Sequence, residues 1–224
     1  MDEMTAASRR TDPDNVYERI LAVLDDVPWA AVPHVERIYP RDRQNIDFFP
    51  GQRGFAGPTF PVGGIMMVGN NFCSRSGEGG LPSWLEAPDV PSAIKTWRRL
   101  RDFTIPSSGL SIERFWFTNY CHGAMDVRDK KGKIRESYRF RSTFVKTLCF
   151  DKVFERHVEL MQPRLIVSLG SPARDWLKVV DRTTVGSEII AITHPSAPCS
   201  DEQCKNDGRR IRAAYEAAVG GPGI

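Results

Sequence analysis

Pro163-Arg164-Leu165-Ile166-Val167-Ser168-Leu169-Gly170-Ser171-Pro172-Ala173 is the stretch whose reading decides the fold. Its apolar run, Leu165 to Leu169, shows no apolar–polar alternation, which suits a strand buried on both faces. The expected strand runs from Leu165 to Gly170, and Ser171-Pro172 caps a helix that the pattern carries through Trp176 to Val180. Upstream, Pro163 stops a long helix expected over about Ser142 to Met161.

The same alternation extends in both directions. Gly64-Ile65-Met66-Met67-Val68 reads as an earlier buried strand ending at Gly69, and Phe115-Trp116-Phe117-Thr118 as a second. A helix from Pro91 to Phe103, carrying Ile94, Trp97 and Leu100, separates them. Glu188 to Ile192 is a fourth strand, and a helix from about Glu202 to Val219 follows it. Strands alternating with helices imply a parallel sheet covered on both faces. The expected fold is therefore α/β, a three-layer α/β/α sandwich with a four-stranded parallel sheet. Residues 61–224 form this domain. Residues 1–60 precede it as a helix and an irregular wrapping segment. The helix starts at Asp12-Pro13 and presents Val16, Ile20, Val23, Leu24 and Val27. From Pro28 to Pro61 there are six prolines, three glycines and little periodicity.

Composition narrows the function classes. The chain has 224 residues, 41% hydrophobic and 26% charged, which excludes collagen-like and wholly disordered readings. No stretch resembles a signal peptide, and no apolar run approaches the roughly 20 residues of a membrane span. Five cysteines, odd in number and scattered, are not a disulfide framework. A cytoplasmic protein with reduced thiols and no membrane partner is the expectation. Net charge is only +3, so a nucleic-acid partner has to be argued from local charge.

In open α/β sheets ligands bind beyond the carboxyl ends of the strands. Following the four strands are Gly69-Asn70-Asn71-Phe72-Cys73, Asn119-Tyr120-Cys121-His122-Gly123, Gly170-Ser171-Pro172-Ala173 and Thr193-His194-Pro195-Ser196-Ala197-Pro198. None offers a nucleophile with an adjacent base, and no carboxylate stands at a strand end. Serine-hydrolase, glycoside-hydrolase and phosphatase chemistries are disfavoured. Without a Walker A loop or a Gly-x-Gly-x-x-Gly turn, nucleotide-cofactor readings are weak too, and no cofactor is expected.

Gly69-Asn70-Asn71, Thr118-Asn119, the turn after Leu165 to Leu169, and His194-Pro195-Ser196, in this order, resemble the motifs of the uracil-DNA glycosylase superfamily. The resemblance covers roughly Gly63 to Cys199. It implies a uracil-DNA glycosylase-like α/β/α domain that hydrolyses the N-glycosidic bond of uracil or a related damaged base. By the resemblance, Asn71 positions the attacking water, Asn119 reads the edge of a flipped base, and His194 lies against the base O2. Gly69, Asn70 and Ser196 join them as substrate-binding positions. Phe72 and Trp84 are the candidate stacking surfaces.

The chain also departs from the family pattern. Phe72 stands where a proline is usual, and Cys73-Ser74 where Tyr-His is usual. Ala197-Pro198-Cys199 replaces the bulky wedge expected after His-Pro-Ser, which favours single-stranded DNA or an already flipped base as partner. Iron–sulfur branches need an early pair of cysteines, and here the first is Cys73, so no cluster is expected.

Two basic stretches suggest a phosphate footprint. One is Lys95 to Arg101. The other, Arg128 to Lys146, holds eight basic and two acidic residues. Lys130, Lys131, Lys133 and Arg135 near its hairpin-like tip are the candidate DNA contacts. No obligate protein partner is inferred. Cys121, His122, Cys199 and Cys204 are the residues that would gather in a zinc site. The lack of a Cys-x-x-Cys pair favours free thiols and no metal. The alternatives to an enzyme on DNA are a catalytically inactive base- or DNA-binding module on the same fold, and a nucleoside or nucleobase enzyme.

Overall fold

The computed structural model describes residues 19, 23, 35–37, 62–72, 98–125, 152–177, 187–195 and 197–220. Five strands make one sheet: β1 (Val35–Arg37), β2 (Ile65–Phe72), β3 (Phe115–Met125), β4 (Leu165–Leu169) and β5 (Glu188–Ile192). Their order is β1-β3-β2-β4-β5. β3, β2, β4 and β5 run parallel, and β1 closes the β3 edge antiparallel. The α/β expectation and its four parallel strands hold. The fifth strand corrects the reading of an irregular segment at residues 35–37. Three residues are too few for a periodicity to show.

Both faces of the sheet are buried at Ile65 to Val68, Phe115 to Thr118 and Leu165 to Leu169. On one, Ile65, Met67, Phe115, Phe117, Leu165, Val167, Leu169 and Ile192 pack with Leu100, Ile105, Ile211 and Tyr215. The last four come from two helical elements. A π-helical turn, Leu100–Thr104, runs into α1 (Ile105–Ser108), and α4 (Asp201–Gly220) lies beside them. On the opposite face, Trp116 meets His157 of α2 (Lys152–Met161) edge to face, with ring centroids 5.6 Å apart. α3 (Gly170–Leu177) adjoins β4, β2 and β5.

Local chemistry explains the helix ends. Pro106 has no N–H to donate. The ladder before it widens into a π turn, in which the Ile105 amide donates to the Leu100 carbonyl. The helix therefore continues to Ser108 rather than ending at Phe103 as expected. α4 opens on a capping serine: Ser200 Oγ accepts from the Gln203 amide at 3.1 Å. Its buried residues, Cys204, Asp207, Gly208, Ile211 and Tyr215, recur at helical spacing. The end of α2 at Met161 and the β5 bounds agree with the sequence reading, whereas β4 stops at Leu169, one residue before the expected Gly170, which takes a positive φ and opens α3. The Asp12-Pro13 helix start and residues 142–151 lie outside the described residues. Among the described helices, none is long and apolar enough to cross a membrane.

Candidate functional site at the carboxyl ends of the strands

The connection after β2 leads to β3 on one side, whereas β4 and β5 lie on the other. The crevice between the carboxyl ends of β2 and β4 is thus the topological switch point, where open α/β sheets bind ligands. Val68, Ser168 and Ala191 share one row across the sheet. Three residues further along lie Asn71 on β2 and His194 beyond β5, with β4 already turned away into α3 at Gly170.

His194 leans on the end of β4. Gly170 has φ +83°, and a Cβ there would come within 2.8 Å of the His194 Cβ. Only glycine combines that backbone with that approach. Gly170→Ala is expected to cost about 1–3 kcal/mol in backbone strain and to push His194 off its position. A calorimetric scan with the histidine ring resonances would show both changes, and an unmoved His194 resonance would contradict the contact.

The loop after β5 is held from three directions. The Thr193 amide donates to Asp207 Oδ2 at 3.1 Å, and the Ala197 amide donates to the His194 carbonyl at 2.8 Å. Asp207, 2% exposed, also accepts from Arg210 Nη1 at 2.9 Å and from Gln203 Nε2 at 3.3 Å. Arg210 Nη2 reaches the Ala191 carbonyl at 2.9 Å, which ties β5 to α4. From the other side comes Arg99, 8% exposed. Its Nη1 donates to the carbonyls of Pro195 at 2.9 Å and Ala197 at 3.0 Å, and its Nη2 to that of Cys199 at 2.5 Å. Its Nε lies 3.4 Å from Asp201 Oδ1. Thr193 to Pro195 and Ala197 to Cys199 therefore arrive preorganised.

Burial holds the His194 imidazole below its ordinary pKa, because the charged ring would lose its water. At neutral pH the ring is uncharged, with one N–H to donate and one nitrogen to accept. Its folded pKa lies below the unfolded value, so its contribution to stability is complete above about pH 6.5 and is lost on acidification. A proton titration of the His194 ring followed by NMR is expected to give a midpoint below 6.5. A midpoint at or above that value would mean an exposed or acid-paired ring.

The structure revises where the other expected site residues stand. Gly69 to Phe72 were expected in a loop but form the last half of β2, and Asn119 to Gly123 lie within β3. Gly69 pairs with Asn119 and Asn71 with Cys121, so the two motif segments are neighbours in register. The register then jumps, with Phe72 opposite Ala124, a bulge between the carboxyl ends of β2 and β3. For Asn70, Asn71, Phe72 and Asn119 the description extends to the backbone. Trp84, Ser196, Lys130, Lys131, Lys133 and Arg135 lie outside the described residues. Arg99 is a correction, since it is withdrawn from solvent to hold the loop after β5 and is no phosphate contact. Arg101 is engaged with Asp102. Among the described residues, no group of three or more His, Cys, Asp or Glu is arranged to hold a metal ion.

Arg99 and Asp207, which hold the loop after β5, are the residues of the candidate site that sequence reading missed. A signal for Asp207 existed: an acid at the spacing of the apolar face of α4 must find a buried donor. No family profile matches this chain, and no curated protein matches it.

Proposed function

We propose that the chain is a DNA glycosylase of the uracil-DNA glycosylase type, hydrolysing the bond between deoxyribose and uracil or a related damaged base. The observation that supports it most is the preorganised, uncharged His194 at the switch-point crevice. Cleaving this bond leaves positive charge on the sugar and negative charge on the departing base. A fixed neutral N–H donor at the base O2 stabilises that anion without a proton transfer. The N-terminus of α3 opens on the same crevice and favours negative charge there. In this reading Asn71 orients the water, and Asn119 pairs with the edge of the flipped base. The strand order, with the motif segments of β2 and β3 in adjacent register, fits a site assembled from all three.

Uracil-, hypoxanthine- and xanthine-containing oligonucleotides, single- and double-stranded, followed by alkaline cleavage of abasic sites, test the proposal. Strand breaks are expected on at least the single-stranded uracil substrate. His194→Ala is expected to slow them about 10²–10³-fold, the usual loss on removing one preorganised donor. Folded protein that breaks none of these substrates would reject the proposal. One observation favours the runner-up, a binding module without catalysis. The Asn71 backbone is paired into the sheet, leaving that segment less free to adjust around a water. That reading predicts salt-dependent DNA binding unaffected by Asn71→Ala.

A further inference from the structure

Two thiols sit at the base of the loop that carries His194. Cys199, half-buried, ends the loop, and Cys204, 3% exposed, lies in the first turns of α4. Their sulfurs are 3.8 Å apart. Arg99 Nη1, which holds the loop carbonyls, also donates to Cys199 Sγ at 3.3 Å. The two cysteines therefore differ in chemistry. Cys199 is the more exposed of the two and is the sulfur that a dissolved electrophile reaches first. Burial, with the neighbouring sulfur adding to it, pushes the Cys204 thiol up to about 11. Closing a disulfide requires the sulfurs to approach to about 2.05 Å, a movement of less than 2 Å by side chains on a loop end and a helix start.

We propose that Cys199 and Cys204 are a peroxide-reactive dithiol that closes reversibly to an intramolecular disulfide. In the first step the Cys199 thiolate attacks one oxygen of hydrogen peroxide. The O–O bond breaks, hydroxide leaves, and Cys199 becomes a sulfenic acid. In the second, Cys204 attacks that sulfur, the S–O bond breaks, and the proton of the Cys204 thiol leaves with the hydroxyl as water. Both sulfurs are oxidised and the peroxide is reduced to water, with no further reactant. The consequence is local. Cys199 Sγ turns towards α4 and ceases to be an acceptor for Arg99, so the clamp on the segment from Thr193 to Cys199 loosens. This chemistry does not depend on the glycosylase reading.

The test uses the full-length protein, treated with hydrogen peroxide, quenched, denatured with N-ethylmaleimide and digested with trypsin. Residues 183–205 fall between Arg182 and Lys205, so both cysteines share one peptide, while Cys73, Cys121 and Cys149 report from others. The expected product is that peptide two hydrogens lighter, unalkylated, and alkylated at both cysteines again after dithiothreitol. In Cys204→Ala, dimedone is expected to trap a sulfenic acid on Cys199. Amide exchange in the segment from Thr193 to Cys199 is expected to quicken on oxidation of the native protein and to stay unchanged in Cys204→Ala. A peptide still alkylated at both positions after peroxide, or one that gains oxygen without losing two hydrogens, would overturn the proposal. Absence of the dimedone adduct would overturn the order of attack, and unchanged exchange would overturn the link to the clamp.

Discussion

Gly208→Ala is expected to destabilise the fold by about 3 kcal/mol or more, although alanine is the better helix former. Gly208 is in α4, where a Cβ would lie 2.1 Å from the Thr104 carbonyl oxygen, 3.0 Å from the Ser107 Cβ and 3.1 Å from the Ser108 amide nitrogen. Two of those atoms are backbone, so no rotamer change relieves the overlap. The helix itself must move away from α1 and the π turn. That movement opens the contacts of Ile211 and Tyr215 with Leu100 and Ile105 in the core. It also carries Asp207, the adjacent residue, away from the Thr193 amide. The gain in helix propensity is at most about 1 kcal/mol, so sterics decide the sign. For a chain of this size, 3 kcal/mol corresponds to a fall of about 6–12 °C in Tm. Thermal and urea unfolding would measure it, with Ala213→Gly on the exposed side of α4 as a control, expected to cost only about 1 kcal/mol. A wild-type Tm for Gly208→Ala would mean that the two helices do not approach as closely as described.

The contact that makes Gly208 necessary was not legible in the sequence, and the reason separates what could be read from what could not. The centres of β2, β3 and β4 were visible because each is buried on both faces, and burial leaves an apolar run; β5, half-buried from Ile189 to Ala191, showed as an apolar run too. The ends were not. Asn70-Asn71 and Asn119-Tyr120 continue their strands through backbone pairing, which polar residues support as well as apolar ones. β1 was invisible for the same reason, being three residues of mixed character on an edge. The segments after β2 and β3 therefore continue their strands, where loops were expected. His194 was found because it follows a strong strand, whereas its supports were hidden. Arg99 sits in a run of basic residues and reads as surface charge until the fold turns it inward.

Arg99→Met is the second change with a large expected effect, and it couples stability to the site. Methionine keeps an apolar stem of similar reach but offers no donor. The carbonyls of Pro195, Ala197 and Cys199 would each lose the Arg99 hydrogen bond, and Asp201 its partner. Asp201 is half exposed and regains water, so its share is small. The carbonyls dominate, because they face a side chain that is itself buried. Leaving buried acceptors without a donor costs about 1–3 kcal/mol. Arg99→Lys keeps the charge but cannot reach several carbonyls from one planar fork, so an intermediate loss is expected. A purely structural role would end there. If Arg99 positions His194, a further signal follows. With the loop released, water reaches the imidazole, and its pKa rises towards the ordinary value of about 6.5. Stability by urea titration, the His194 midpoint by NMR and abasic-site yield, measured on one set of variants, distinguish the cases. A destabilised Arg99→Met protein with an unchanged His194 midpoint would reduce Arg99 to a structural residue. A raised midpoint, partly restored in Arg99→Lys, would make the guanidinium the element that keeps the histidine neutral and in place.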